Sequence, residues 1–248
     1  MAKTIRGVIF DLGSTLIRFD GDWPILLQDS LDLLIDQLQE DGLVFDRSDF
    51  RSSFERALEA NDHQRQSNQL ERSTASLLQE SLSAFGHEEI SPDILGRGLK
   101  RFYSVSETYW QPMPALHAVL DELQDEGRML GLISNAGDAE NVQRLIDKVE
   151  IREYFDPIII SAAIGIRKPD PRPFEMVLVQ WQAPPDSVVM IGDRLEADIL
   201  GAQNTGLHQI WLKPDAEGSA AVQIIPEKVT GKLVDIPGLI REFEMKGQ

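Results

Sequence analysis

Residues 8–16 read VIFDLGSTL, and residues 190–202 read MIGDRLEADILGA. In each, a short apolar run ends at an acid: Val8-Ile9-Phe10 runs into Asp11, and Val188 to Ile191 runs into Gly192-Asp193. Two further runs behave alike. Leu130 to Ile133 is followed by Ser134-Asn135, and Ile158 to Ile160 leads to Lys168-Pro169-Asp170. A strand buried on both faces of a parallel sheet reads as a short apolar run. Open α/β sheets bind their ligands outside the carboxyl ends of such strands. The four polar clusters are therefore expected at one sheet edge, where carboxylates, a lysine and a hydroxyl can hold a divalent cation and a phosphoryl group together.

Working outward, strands and helices alternate from Pro112 onward. The spacing predicts helices over 115–126, 138–148, 173–181 and 196–204. It predicts strands over 129–133, 157–161, 188–191 and 208–212, then a short strand over 232–235 and a last helix from Pro237. Such alternation implies a parallel sheet with right-handed crossovers. Between the first strand and Pro112 the pattern is helical throughout. Leu26, Leu27, Leu31, Leu34, Ile35 and Leu38 keep helical spacing, Phe50 and Phe54 start a second helix, Ser73 a third, and Ser91-Pro92-Asp93 carries helix-start chemistry. The expected organisation is a Rossmann-like core of residues 1–17 and 111–248, with an all-helical insert of residues 18–110 above its site as a cap.

Composition bounds the partners. With 42% hydrophobic and 26% charged residues the chain reads as an ordinary globular protein. It has no cysteine, which excludes disulfides and thiolate metal sites. A formal charge of −17 argues against nucleic acid and anionic membrane as partners. No apolar stretch approaches the roughly 18–20 residues of a membrane helix. The amino terminus runs straight into a strand-like segment with no secretory signal pattern, so a cytoplasmic location is expected. An anionic substrate must overcome the global charge through local cations, for which Arg167, Lys168, Arg172 and Arg194 are the candidates.

Each cluster suits one part of phosphoryl chemistry. Asp11 can attack phosphorus as a carboxylate nucleophile. Gly13 lets the backbone approach a ligand, leaving its carbonyl to face a metal. Ser134 and Asn135, before a helix start, can bind phosphate oxygens. Lys168, fixed between prolines, can neutralise charge. Asp193, with Asp198 five residues on, completes an oxygen donor set suited to Mg²⁺. Read singly, each also has a structural explanation: turn capping, helix capping, a surface lysine, an acid offsetting a helix dipole.

Together, VIFDLGSTL, LISNAGD, RKPDPRPF and MIGDRLEADILGA resemble the haloacid dehalogenase superfamily, most of whose members are Mg²⁺-dependent phosphatases. The resemblance implies Asp11 as nucleophile and metal ligand, the Gly13 carbonyl and Asp193 as further ligands, and Ser134 with the following backbone as phosphate site. It also implies Lys168 as the neutralising cation and Asp198 as its support. A small phosphorylated metabolite is the implied partner. One departure stands out: phosphatases of the superfamily usually carry a second aspartate two residues after the nucleophile, where this chain has Gly13. That residue protonates the leaving oxygen, so slow or leaving-group-dependent hydrolysis is expected. The alternatives are a non-catalytic binding protein of the same fold, a phosphonatase, or a dehalogenase. A phosphonatase needs a cap lysine, and Lys100 is the only lysine between Lys3 and Lys148.

Overall fold

The computed structural model describes residues 4–65, 69–213 and 224–245. The chain opens with β1 (Gly7–Phe10), then a short strand β2 (Ile17–Phe19). Four helices follow: α1 (Trp23–Glu40), α2 (Arg47–Arg65), α3 (Thr74–Ser83) and α4 (Pro92–Glu107). Strand β3 (Trp110–Pro112) returns beside β2 as an antiparallel ribbon. Then come α5 (Leu116–Asp125), β4 (Met129–Ser134), α6 (Ala139–Lys148), β5 (Ile158–Ile160), α7 (Ser161–Ile164), α8 (Arg172–Trp181) and β6 (Val188–Gly192). The chain closes with α9 (Leu200–Thr205), β7 (His208–Leu212), β8 (Lys228–Thr230) and α10 (Ile236–Met245).

The main sheet is six-stranded and parallel throughout, in the order β5-β4-β1-β6-β7-β8. Alternate residues of β1 point to opposite faces, as the pleat requires. Val8 and Phe10 join a cluster with Leu120 of α5, Ile146 of α6 and Ile240 of α10. Ile9 joins the other, with Val177 of α8 and Ala202 of α9. The sheet is thus covered on both faces, which is why its strands carry no polar alternation. Strand order reverses about β1, so the ends of β1, β4 and β6 lie side by side with helices leaving to opposite faces, the crevice in which such sheets bind ligands. Phe10 is level with Leu132 of β4 and Ile191 of β6, which puts Asp11, Ser134 and Asp193 within a residue or so of one height.

The four inserted helices have a core of their own, with Leu31, Leu34, Leu38, Phe50, Phe54, Leu78 and Phe102 all buried. Ser73 and Ser91 cap α3 and α4, each side-chain oxygen accepting the backbone N–H three residues on. The β2–β3 ribbon joins this bundle to the sheet.

Two expectations need correction. The segment 232–235 is a 3-10 turn (Leu233–Asp235), and the sixth strand is β8, earlier in the chain. Lys228-Val229-Thr230 sits at the sheet edge, half-buried or exposed, so it carries no apolar run. The helix expected over 196–204 begins instead as a turn of π-helix over Leu195–Ile199 and becomes α-helical only at Leu200.

Candidate active site

Lys168 lies at the centre of the sheet's carboxyl edge, 2% exposed. Its ammonium donates to Asp11 Oδ1 at 2.7 Å and to the carbonyl of Ile133 at 2.6 Å, and Asp198 Oδ1 lies 2.7 Å away. These contacts tie the loop after α7 to the ends of β1 and β4 and to the π-turn after β6. Asn135 fixes the lysine's backbone: its side-chain amide donates to the Lys168 carbonyl and accepts the Lys168 N–H, both at 2.9 Å. The structure therefore gives the Asn135 side chain a positioning contact. Ser134 is buried at the end of β4, beside this pair.

The π-turn explains Asp198. Its wider coil turns the side chain inward, where Oδ2 accepts the N–H of Arg194 at 3.0 Å. Gly192 makes room: a Cβ there would lie 2.2 Å from Asp198 Oδ2. Asp193 follows, its carbonyl accepting the indole N–H of Trp211 at 2.8 Å. Carboxylate oxygens of Asp11, Asp193 and Asp198 all lie within 4.8 Å of one another.

Three acids face one lysine, so the cluster carries excess negative charge. Burial raises the Asp11 carboxyl to about 6, with Lys168 pulling it back and Asp198 adding to the rise. Burial also raises Asp193 to about 7, reinforced by the charges of Asp11 and Asp198. Burial alone would lower the Lys168 ammonium, but Asp11 and Asp198 override it and hold it above its ordinary value. Crowded, partly desolvated carboxylates with oxygen-only donors fit a hard divalent cation such as Mg²⁺. Asp193 and the second oxygen of Asp11 could hold it, because Lys168 takes only Oδ1 of Asp11, whereas Lys168 and the Arg194 backbone engage both oxygens of Asp198.

A cleft of about 860 Å³ reaches the cluster on the side of Lys168, lined by Lys168, Asn135, Arg65, Arg167 and Arg194 among others. Two of the expected cations, Arg167 and Arg194, do line it. Arg172 does not: Asp170, two residues earlier, captures its guanidinium at 2.7 and 2.8 Å. Arg65 had no signal in the sequence and comes from the end of α2. It packs against Gly137, where a Cβ would lie 2.6 Å from its Nη2. Glu71, its side chain fully buried, joins the inserted helices to the core. It pairs with Arg65 at 2.8 Å, lies 3.8 Å from Arg167 Nη1, and accepts the Ser161 hydroxyl at 2.8 Å.

Residues 41–212 match the family described as haloacid dehalogenase-like hydrolase. The chain belongs to that family. It is 26% identical over 213 residues to a glyceraldehyde 3-phosphate phosphatase of Methanothermobacter thermautotrophicus, covering 85% of this chain and 87% of that one. It is 30% identical over 125 residues to the Pyrococcus furiosus protein of the same name, and 36% identical over 102 residues to a pyrimidine 5′-nucleotidase of Escherichia coli. These two matches cover 50% and 41% of this chain and span about half of each relative, 52% and 44%. Among solved structures, a 2-haloacid dehalogenase of Pseudomonas syringae pv. Tomato superposes with a TM-score of 0.67 at 22% identity, covering 97% of this chain and all of the other. That likeness concerns the fold, which family members share across different chemistries. Within the family fold, the convergence of Asp11, Lys168 and Asp193 is this chain's own geometry.

Gly13 lies two residues beyond Asp11, bridged to Ile17. A Cβ there would meet the Trp110 ring at 3.5 Å, an ordinary contact, so sterics do not impose glycine at this position.

Proposed function

We propose that this chain is a Mg²⁺-dependent phosphatase of small phosphorylated metabolites, working through an aspartyl phosphate on Asp11. One observation carries the proposal: a buried lysine holds the candidate nucleophile while Asp193 stands within reach of the same point. In this reading Asp11, the Gly13 carbonyl and Asp193 hold the cation, which when bound supplies positive charge to the phosphoryl oxygens. Lys168 keeps Asp11 ionised and oriented, and neutralises charge as the phosphoryl group transfers. Ser134 and the backbone after it hold a non-bridging oxygen, Asn135 keeps Lys168 in place, and Asp198 supports the lysine from the far side.

The core of residues 1–17 and 111–248 and the helical cap of 18–110 are part of this proposal. The bundle's separate core and its ribbon connection support that division. The relatives named for glyceraldehyde 3-phosphate and pyrimidine nucleotides suggest a small phosphate monoester for this chain too.

With glycine at position 13, no side chain there protonates the leaving oxygen. General acid–base catalysis is worth about 10²- to 10⁴-fold, so esters with poor leaving groups should turn over slowly. The test is Mg²⁺-dependent phosphate release over a metabolite panel with Asp11→Asn as control. Release that needs Mg²⁺ and disappears in the control supports the proposal. Release that survives the substitution contradicts it.

A further inference from the structure

Residues 69–74, which lead into α3, lie along the two loops that carry Ser134 and Lys168. The carbonyl of Gln69 accepts the N–H of Arg167, and the N–H of Glu71 donates to the carbonyl of Gly165, both at 3.0 Å. These two bonds flank an antiparallel bridge between Leu70 and Ile166. Further on, the N–H of Thr74 donates to the carbonyl of Gly137 at 2.7 Å. The inserted segment thus meets the chain one residue before Lys168 and three residues after Ser134.

A line of side-chain hydrogen bonds runs through this joint. Glu71 accepts Arg65 Nε on Oε1 at 2.9 Å and the Ser161 hydroxyl on Oε2 at 2.8 Å. Ser161, 2% exposed, in turn accepts the N–H of Ala136 at 2.9 Å. The Ala136 carbonyl lies 3.2 Å from the same hydroxyl. A hydroxyl has one proton and two lone pairs. The shorter, charge-assisted bond to the carboxylate takes the proton, which leaves a lone pair for the Ala136 N–H. Glu71 therefore sets how Ser161 holds the turn after Ser134. Cohesion alone does not require this line, because apolar contacts join packed units as well as a costly buried carboxylate does. Its directional bonds end on a backbone amide two residues after Ser134, inside the turn assigned above to the phosphoryl oxygen.

We propose that Glu71 is a positioning residue. Acting through the Ser161 hydroxyl, it holds the turn 134–137 in the geometry that receives the phosphoryl group, so the inserted helices help to build the sheet's anion site. This rests on the phosphatase reading above.

Ser161→Thr and Ser161→Val share one shape and differ in the hydroxyl. Two readouts on the intact protein test the relay: amide exchange at Ala136 without Mg²⁺ or substrate, and kcat/KM for p-nitrophenyl phosphate in Mg²⁺ well below Tm. Relative to Ser161→Thr, Ser161→Val should exchange Ala136 about tenfold faster or more. It should also lose about 10- to 100-fold in kcat/KM, the size of effect that a small misplacement produces. Ser161→Ala, which adds no bulk, repeats the comparison against wild type where the branched pair folds poorly. Glu71→Gln should lower kcat/KM about fivefold with Ser161 present and less than about twofold in Ser161→Val, because members of one network do not add. Exchange or kcat/KM indifferent to the hydroxyl, or equal Glu71→Gln losses in both backgrounds, overturns the inference. If the wild-type protein releases no phosphate, the phosphatase reading fails separately. Exchange then decides: protection of Ala136 that needs both the hydroxyl and Glu71 supports the relay, and protection that needs neither overturns it.

Discussion

Replacing Lys168 with methionine keeps most of the side-chain length and removes the charge. In the metal-free protein this leaves Asp11 and Asp198 buried without their shared cation, and frees the Ile133 carbonyl that the ammonium satisfied. Removing one partner of a buried ion pair costs about 3–5 kcal/mol. For a chain of this size each kcal/mol moves Tm by about 2–4 °C, so a fall of about 6–20 °C is expected at pH 7.5 in EDTA. The pH dependence separates charge from packing. Asp11 is already raised to about 6 with the lysine present, and losing the lysine raises it further. An acid raised in the folded state takes up a proton on folding, so its penalty is largest above the folded value and fades as pH falls towards 3.8. Thermal or urea melts of Lys168→Met should therefore show a deficit at pH 7.5 that shrinks markedly by pH 5. A deficit below about 1 kcal/mol, or one equal at both pH values, would refute a buried charge cluster built around this lysine.

Three further outcomes follow from the same geometry. Asp193→Asn should stabilise the metal-free protein at pH 8 by about 2–4 kcal/mol, because a carboxyl raised to about 7 opposes folding when ionised. The gain should shrink by pH 5, and saturating Mg²⁺ should reverse the order of the two melts; a variant that melts like wild type throughout would count against the metal cluster. Gly13→Asp should speed hydrolysis of alkyl phosphates by about 10- to 100-fold while barely changing p-nitrophenyl phosphate, whose leaving group needs little protonation. Steady-state kcat on both esters checks it, and no gain on alkyl phosphates shows that proton transfer does not limit turnover. Gly192→Ala should displace the Asp198 carboxylate, 2.2 Å from the added carbon, and cost about 1–3 kcal/mol in urea melts. A fully stable, fully active variant would mean that Asp198 is not held by this contact.

The parts of the fold legible in the sequence are those set by local pattern. Val8-Ile9-Phe10 and Val188 to Ile191 read as strands because both faces of the sheet are covered. The motif order brought Asp11, Lys168 and Asp193 together because parallel strands end at one edge. Strand β8 was missed because an edge strand need not be apolar, and Leu233-Val234 resembles a strand only in composition. The π-turn that aims Asp198 has no propensity signal. Arg172 was misplaced because a local partner, Asp170, outcompetes a distant site. Glu71 and Ser161 meet across 90 positions of chain, a contact no single-segment pattern announces.

The central claim is that Asp11 receives the phosphoryl group. The direct measurement is acid-quenched labelling with phosphorus-32 acetyl phosphate in Mg²⁺, followed by peptide mapping. Incorporation on the peptide bearing Asp11, dependent on Mg²⁺ and absent from Asp11→Asn, is the predicted result. Label that persists in Asp11→Asn, or a wild-type protein that hydrolyses acetyl phosphate while no label is trapped on that peptide, would contradict it.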